Sequence, residues 1–203
     1  MNPVGYLLNH RDGLQGSQGI AFDYVVAGNG LFVQSESALL RARIRIAPAS
    51  IRGLEKVDEK VELVNGLLPT ELFEHVLRLM KLATPMELLA TVIWNGSGYE
   101  VKLPDQKISR GSVHYTRPAN VVLDIHSHAG MSAFFSATDD ADEQGFHLYG
   151  VVGKVRDGRP ELNLRVGIYG YFAPVSWPEL FKGPAPAVKF IGEFGDKDEI
   201  PFD

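Results

Sequence analysis

One segment of this chain has the period of a helix, and nearly every long segment on either side has the period of strands. In "NGLLPTELFEHVLRLMKLATP" (65–85), Leu72, Phe73, Val76, Leu77, Met80 and Ala83 fall on one helical face. Thr70 or Pro69 can open that helix and Pro85 ends it, so a helix is expected over about 70–84. Before it, "YVVAGNGLFVQS" (24–35) places Gly28, Asn29 and Gly30 between apolar runs, a hairpin signal. "LLRARIRIAP" (39–48) alternates Arg41, Arg43 and Arg45 with Ala42, Ile44 and Ile46, the period of a half-buried strand. After the helix come "MELLATVIW" (86–94), "YEVKLP" (99–104), "SVHYT" (112–116), "VVLDIHSH" (121–128), "FHLYGVVGKV" (146–155) and "ELNLRVGIYGYF" (161–172). Asp157, Gly158, Arg159 and Pro160 supply the turn between the last two. The pattern predicts an α+β fold, one or two helices against a mainly antiparallel sheet. The tail from Ala173 carries Pro174, Pro178, Pro184, Pro186 and Pro201, which cannot sit in central strands, and is expected to wrap the surface.

Composition narrows the chemistry. At 203 residues with 45% hydrophobic and 22% charged residues, the chain is expected to bury a core of its own. Having no cysteine rules out disulfides, thiolate metal sites and cysteine nucleophiles together, so a transition metal here must be held by histidine and carboxylate. No apolar run approaches a membrane span and the first residues do not read as a secretory leader, so a cytoplasmic location and no membrane partner are expected. A formal charge of −5 gives no general attraction to nucleic acid, and direct binding to it is not expected. The Arg41, Arg43, Arg45 face reads first as a solvated strand face and second as a site for an anionic partner.

Chemistry concentrates in "LDIHSHAGMSAFFSATDDADEQGF" (123–146). Strand side chains at i and i+2 point the same way, so His126 and His128 leave one face and Ser127 the other. That separation lets two imidazoles reach one ion. Ser136 is suited to cap a helix whose first turn is acidic, and Asp139 within that turn can swing back toward the strand end as a third ligand. Taken singly these features are ordinary: a strand histidine is more often packed or solvated, and S-x-x-D is a common capping box. Asp124 shares the face of His126 and reads as an exposed carboxylate before it reads as a group orienting that imidazole. His10, His75, His114 and His147 lack ligand-like spacing. Neither H-E-x-x-H nor G-x-S-x-G occurs.

Together, His126, Ser127, His128, seven residues, Ser136, two residues and Asp139 match H-[ST]-H-x7-S-x2-D, and in this they resemble the JAB/MPN (JAMM) metalloprotease family. The family carries an upstream glutamate, often in P-x-E where the first long helix gives way to a strand, and Pro85 and Glu87 stand at that place. At Ala129 many members have proline, a departure expected to loosen the loop. The resemblance implies a JAB/MPN-like (cytidine-deaminase-like) mixed β-sheet flanked by helices over 67–172, with an N-terminal β-rich subdomain (1–66) and a Pro-rich C-terminal extension (173–203). It also implies one Zn²⁺ on His126, His128 and Asp139, Glu87 as general base, and Ser136 as hydrogen-bond donor to the tetrahedral oxyanion. The reaction implied is hydrolysis of an amide or isopeptide bond.

The phrases "YVVAGNGLF", "IRGLEKV", "HSHAGMSAFFSATDDADEQGF" and "LRVGIYGYF" further resemble the PRTRC system A group of bacterial proteins, whose operons also encode ThiF-like and ParB-related proteins. That likeness implies a protein or peptide substrate, a ubiquitin-like tail among the candidates, lying along a strand edge near His128, and a ThiF-like (E1-like) partner. Two other classes stay open: a silent JAB-fold scaffold, and a member of a plasmid or DNA-maintenance complex acting through a partner.

Overall fold

The computed structural model describes residues 2–109, 112–115, 117–156 and 158–192; Thr116, Asp157 and Pro201 of the expected strand, turn and tail lie outside the described residues. The first sheet contains β1 (Val4–His10), β2 (Gly13–Ser17), β3 (Phe22–Ala27), β4 (Gly30–Glu36), β5 (Leu40–Pro48) and β6 (Lys60–Leu63), ordered β2-β1-β3-β4-β5-β6. The hairpin at Gly28 and Asn29 forms as expected, with Ala27 facing Gly30. Ala42 and Ile44 of β5 are buried. On the opposite face Arg41 pairs with Glu36 at 2.7 Å, and Arg43 donates twice to the Gln34 amide oxygen at 3.0 and 2.8 Å. Arg41 is thus paired with a carboxylate and Arg43 with a neutral amide.

Next come β7 (Leu68–Pro69) and the helix α1 (Thr70–Ala83), which starts with Pro69 at its cap and buries Thr70, Phe73, Val76 and Met80. The second sheet follows: β8 (Leu89–Trp94), β9 (Tyr99–Lys102), a separate hairpin of β10 (Gln106–Ser109) and β11 (Ser112–Tyr115), then β12 (Val121–His128). After the short helix α2 (Ala137–Asp142), the chain adds β13 (Phe146–Gly153), β14 (Glu161–Ile168) and β15 (Tyr171–Pro174). The order is β15-β14-β13-β12-β8-β9. β12 and β13 run parallel, since the chain crosses through α2 between them, and this makes the sheet mixed. With three described helices the fold is an α+β arrangement made mostly of strand.

The tail departs from expectation. α3 (Trp177–Leu180), β16 (Phe181–Lys182) and β17 (Lys189–Phe190) follow, and Val175, Trp177, Leu180, Phe181 and Val188 are all buried. Trp177 stacks on Phe181 at 4.0 Å and meets Phe73 of α1 edge-on at 5.4 Å. Its prolines do keep the tail out of central strands. They say nothing against the aromatic side chains between them filling the space beside α1.

One core runs through Val33, Ile44, Phe73, Met80, Leu123, Leu148, Leu164 and Trp177, joining both sheets, α1 and the tail. A smaller one, Leu7, Val25, Ala27 and Phe32, lies within the first sheet. Among the described residues no helix is long and apolar enough to cross a membrane.

Candidate metal centre

The site is built at the C-terminal end of β12, where the strand's alternation separates its two faces. Leu123 and Ile125 enter the core, and His126 and His128 leave on the other side toward α2. The Nε2 atoms of His126 and His128 are 3.2 Å apart, and Asp139 Oδ1 is 3.5 Å from His126 Nε2. Among the described residues these three side chains form a group whose ligand atoms all lie within 4.8 Å of one another, a group able to hold a metal ion. Two ligands at 2.0–2.1 Å from a tetrahedral zinc stand about 3.3 Å apart, so the observed spacing already fits that edge.

Each of the three side chains is held by a neighbour. His128 Nδ1 donates to the Ser132 carbonyl at 3.1 Å, which leaves Nε2 with the lone pair. Phe134 meets the His128 ring edge-on at 4.9 Å. Burial holds His126 well below its ordinary range, at about 4, against the pull of Asp139 and with help from His128 and Arg165, so it is neutral and free to coordinate. Asp139 divides its oxygens: Oδ2 accepts from the Ser136 amide at 2.6 Å and hydroxyl at 2.7 Å, and Oδ1 faces His126. Asp139 N–H donates back to Ser136 Oγ at 3.2 Å, completing a capping box. The sequence-predicted capping role and ligand placement of this pair therefore coexist.

Glu87 reaches the site through Ser127. Buried between the two histidines, Ser127 accepts the Leu88 N–H on its Oγ at 2.9 Å, and its own N–H donates to the Leu88 carbonyl at 3.0 Å. The residue before Leu88 is thereby set where its side chain interacts with His128 and Asp139. Burial pushes the Glu87 carboxyl up, His128 opposes this, and Asp139 adds to it.

Two expectations change. Asp124 is not an exposed carboxylate: it is buried and ion-paired with Arg117, because the strand face beneath α2 is lined with charged partners. Ala129 does not loosen its loop. It sits at φ 27°, which proline's fixed ring torsion cannot adopt, and the loop is tied by Met131 N–H to His128 O (2.6 Å), Val155 N–H to Ala129 O (2.8 Å) and Lys154 N–H to Met131 O (2.7 Å). β12 is flanked by β8 and β13 and is not itself an edge strand.

Ser132, Glu161 and Arg165 stand in no sequence motif, and Ser127 enters the motif with no role of its own. Glu161 is 2% exposed and accepts from Ser132 Oγ, from Ala133 N–H at 3.2 Å and from Lys154 Nζ at 2.8 Å. The available signal was a charged residue inside an otherwise apolar strand pattern, at Glu161 and Arg165 in "ELNLRVGI".

A strand-borne pair of histidines with a helix-borne aspartate, on a mixed sheet backed by one long helix, defines a JAB-like domain. The family of prokaryotic homologues of the JAB domain matches residues 48–163, more than half of the chain, and the protein belongs to it. Among curated proteins none matches the sequence.

Proposed function

We propose that the protein is a zinc-dependent peptidase that hydrolyses an amide or isopeptide bond. The convergence of His126 Nε2, His128 Nε2 and Asp139 Oδ1 beside a half-buried Glu87 carries this reading. Zinc bound to those three atoms would supply Lewis-acid polarisation of the scissile carbonyl and an acidified water. Glu87 takes the proton from the attacking water and returns it to the leaving amine; its raised pKa suits both steps. Ser136 serves the oxyanion: its hydroxyl can turn away from Asp139 Oδ2 while its amide keeps that oxygen in place. His126 and His128 turn their Nε2 atoms toward one another, with His128 fixed by the Ser132 carbonyl.

The phrases shared with the PRTRC system A group support a bacterial setting of that kind, in the cytoplasm, with a ubiquitin-like tail as substrate and a ThiF-like protein as partner. A pull-down from a host encoding the neighbouring operon is expected to recover one of the two; recovering neither would count against the setting. The catalytic reading is tested by Glu87→Gln, which keeps size and most hydrogen bonding but cannot accept the proton. It is expected to fold, to bind zinc as the wild type does, and to cleave a peptide tail joined to lysine about 10²- to 10⁴-fold more slowly. Wild-type rates in the variant would remove Glu87 from the mechanism. Zinc and partner binding without cleavage by either protein would favour a scaffold.

A further inference from the structure

α2 carries the Asp139 ligand, yet none of its six residues is buried. A helix that short does not persist on its own; about 12–15 residues are needed for even marginal stability in water. Apolar packing does not dock it, and its capping box fixes only its first turn. Something else must hold it over the sheet.

That group is Arg165 of β14, 7% exposed. Its Nη1 donates to Asp140 Oδ1 at 2.6 Å, and its Nε and Nη2 donate to Glu143 Oε2 at 2.9 and 2.6 Å. Asp140 directly follows the ligand, and Glu143 is the residue that ends the helix, its N–H bonded to the Asp139 carbonyl at 2.8 Å. The guanidinium plane lies between two rings, 3.7 Å from the centre of Phe135 and 3.8 Å from that of Phe172. Phe135 belongs to the loop leading into α2, and Phe172 to β15. One planar fork thus joins the sheet to the segment before the ligand, the residue after it and the end of its helix. Only a guanidinium can bridge and stack in this way at once. Two carboxylates face one cation, so the clamp adds no net positive charge beside a site for a metal ion.

We infer that Arg165 is the positioning residue for the metal centre: it clamps α2 to the sheet and thereby holds Asp139 Oδ1 in coordinating range of His126 and His128. The inference rests on the metal-binding part of the proposed function and not on hydrolysis. Its test uses the full chain and zinc alone, above neutral pH so that Glu143, pushed up to about 7 by burial against the pull of Arg165, is ionised. Zinc affinity is measured by competition with a chelator, and amide hydrogen exchange is followed on the metal-free protein. Arg165→Met is expected to weaken zinc binding at least about tenfold and to speed exchange at the Asp140 and Glu143 amides, with the two sheets unchanged. Arg165→Lys, which keeps the charge but not the fork, should fall between. Phe172→Leu changes no charge and leaves every hydrogen bond available; it should weaken zinc several-fold and speed the same two amides, and it carries the test if Arg165→Met does not fold. A purely structural role would lower melting temperature while leaving zinc affinity and local exchange as they were. Zinc affinity within about twofold of wild type in these variants would overturn the inference. Zinc binding without any hydrolysis would sink the peptidase reading alone, and a wild type that binds no zinc would sink both.

Discussion

At the scale of the residue, the candidate metal centre depends on side chains whose neighbours decide what they can do. His128→Ala removes one of the three proposed ligands, and zinc content measured after dialysis should fall from about one per chain to a small fraction; equal content in the two proteins would show that the ion lies elsewhere. Glu161 makes a different prediction. Lys154 first, then Ser132 and the Ala133 amide, hold its carboxyl down to about 2, against the cost of burial. An ordinary glutamate titrates near 4.3, so the unfolded chain binds the proton more readily than the folded one. The stabilisation is therefore fully present above about pH 4.3 and is lost as pH falls toward about 2. Urea unfolding over a pH series should show wild type exceeding Glu161→Gln in stability near neutrality, with the gap closing between those values; a constant gap would mean that the charge is immaterial. The two histidines were legible in the sequence because i, i+2 spacing is local geometry. Glu161 was not, since its partners at 132, 133 and 154 meet it only once β13 and β14 have paired.

At the scale of the element, the decisive piece is the loop that leaves β12 and returns as α2. It passes directly over the end of β13: a side chain begun at Gly153 would lie 2.2 Å from Ala133 N, 2.4 Å from Ser132 C and 2.7 Å from Met131 O. Gly153 is also the register partner of His128. Backbone on backbone leaves nothing flexible to yield, so Gly153→Ala should lift the loop, break the Ser132 carbonyl contact to His128 Nδ1 and cost zinc affinity, with β12 to β14 still paired. Unchanged zinc affinity, with a crystal structure showing the loop in place, would refute this. The elements themselves could be read in advance: α1 from its apolar face, β12 from its alternation, α2 from Ser136 and the acidic turn after it. The loop's path could not, because it rests on an absent side chain fifteen or more residues further on.

At the scale of the whole molecule, the question is whether the JAB-like part is a separable unit. The central core is shared by all three segments. It takes Val33, Leu40, Ala42, Ile44 and Leu63 from the first sheet, and Val175, Trp177, Leu180, Phe181 and Val188 from the tail. Sequence pattern showed each strand's buried face, yet not which face of which sheet it meets, and proline content obscured a tail whose aromatic side chains complete the core beside α1. A fragment of residues 67–172 would lose all ten partners. Leaving out alanine, the other nine at roughly 1.5–3 kcal/mol each amount to about 13–27 kcal/mol, an upper estimate because unfolded chains already bury some apolar surface. Even its lower end is comparable with the entire stability of an ordinary domain, about 5–15 kcal/mol. The fragment is therefore expected to be aggregated or molten, without sharp near-ultraviolet dichroism or a cooperative thermal transition, and to bind zinc far more weakly than the full chain. Trp177→Ala probes the same core more gently: removing a ring packed against Phe73 and Phe181 should destabilise the full chain by about 3–5 kcal/mol. If 67–172 alone unfolds cooperatively and binds zinc with full affinity, then the outer segments only decorate a self-sufficient domain, and Trp177→Ala should leave the metal centre untouched.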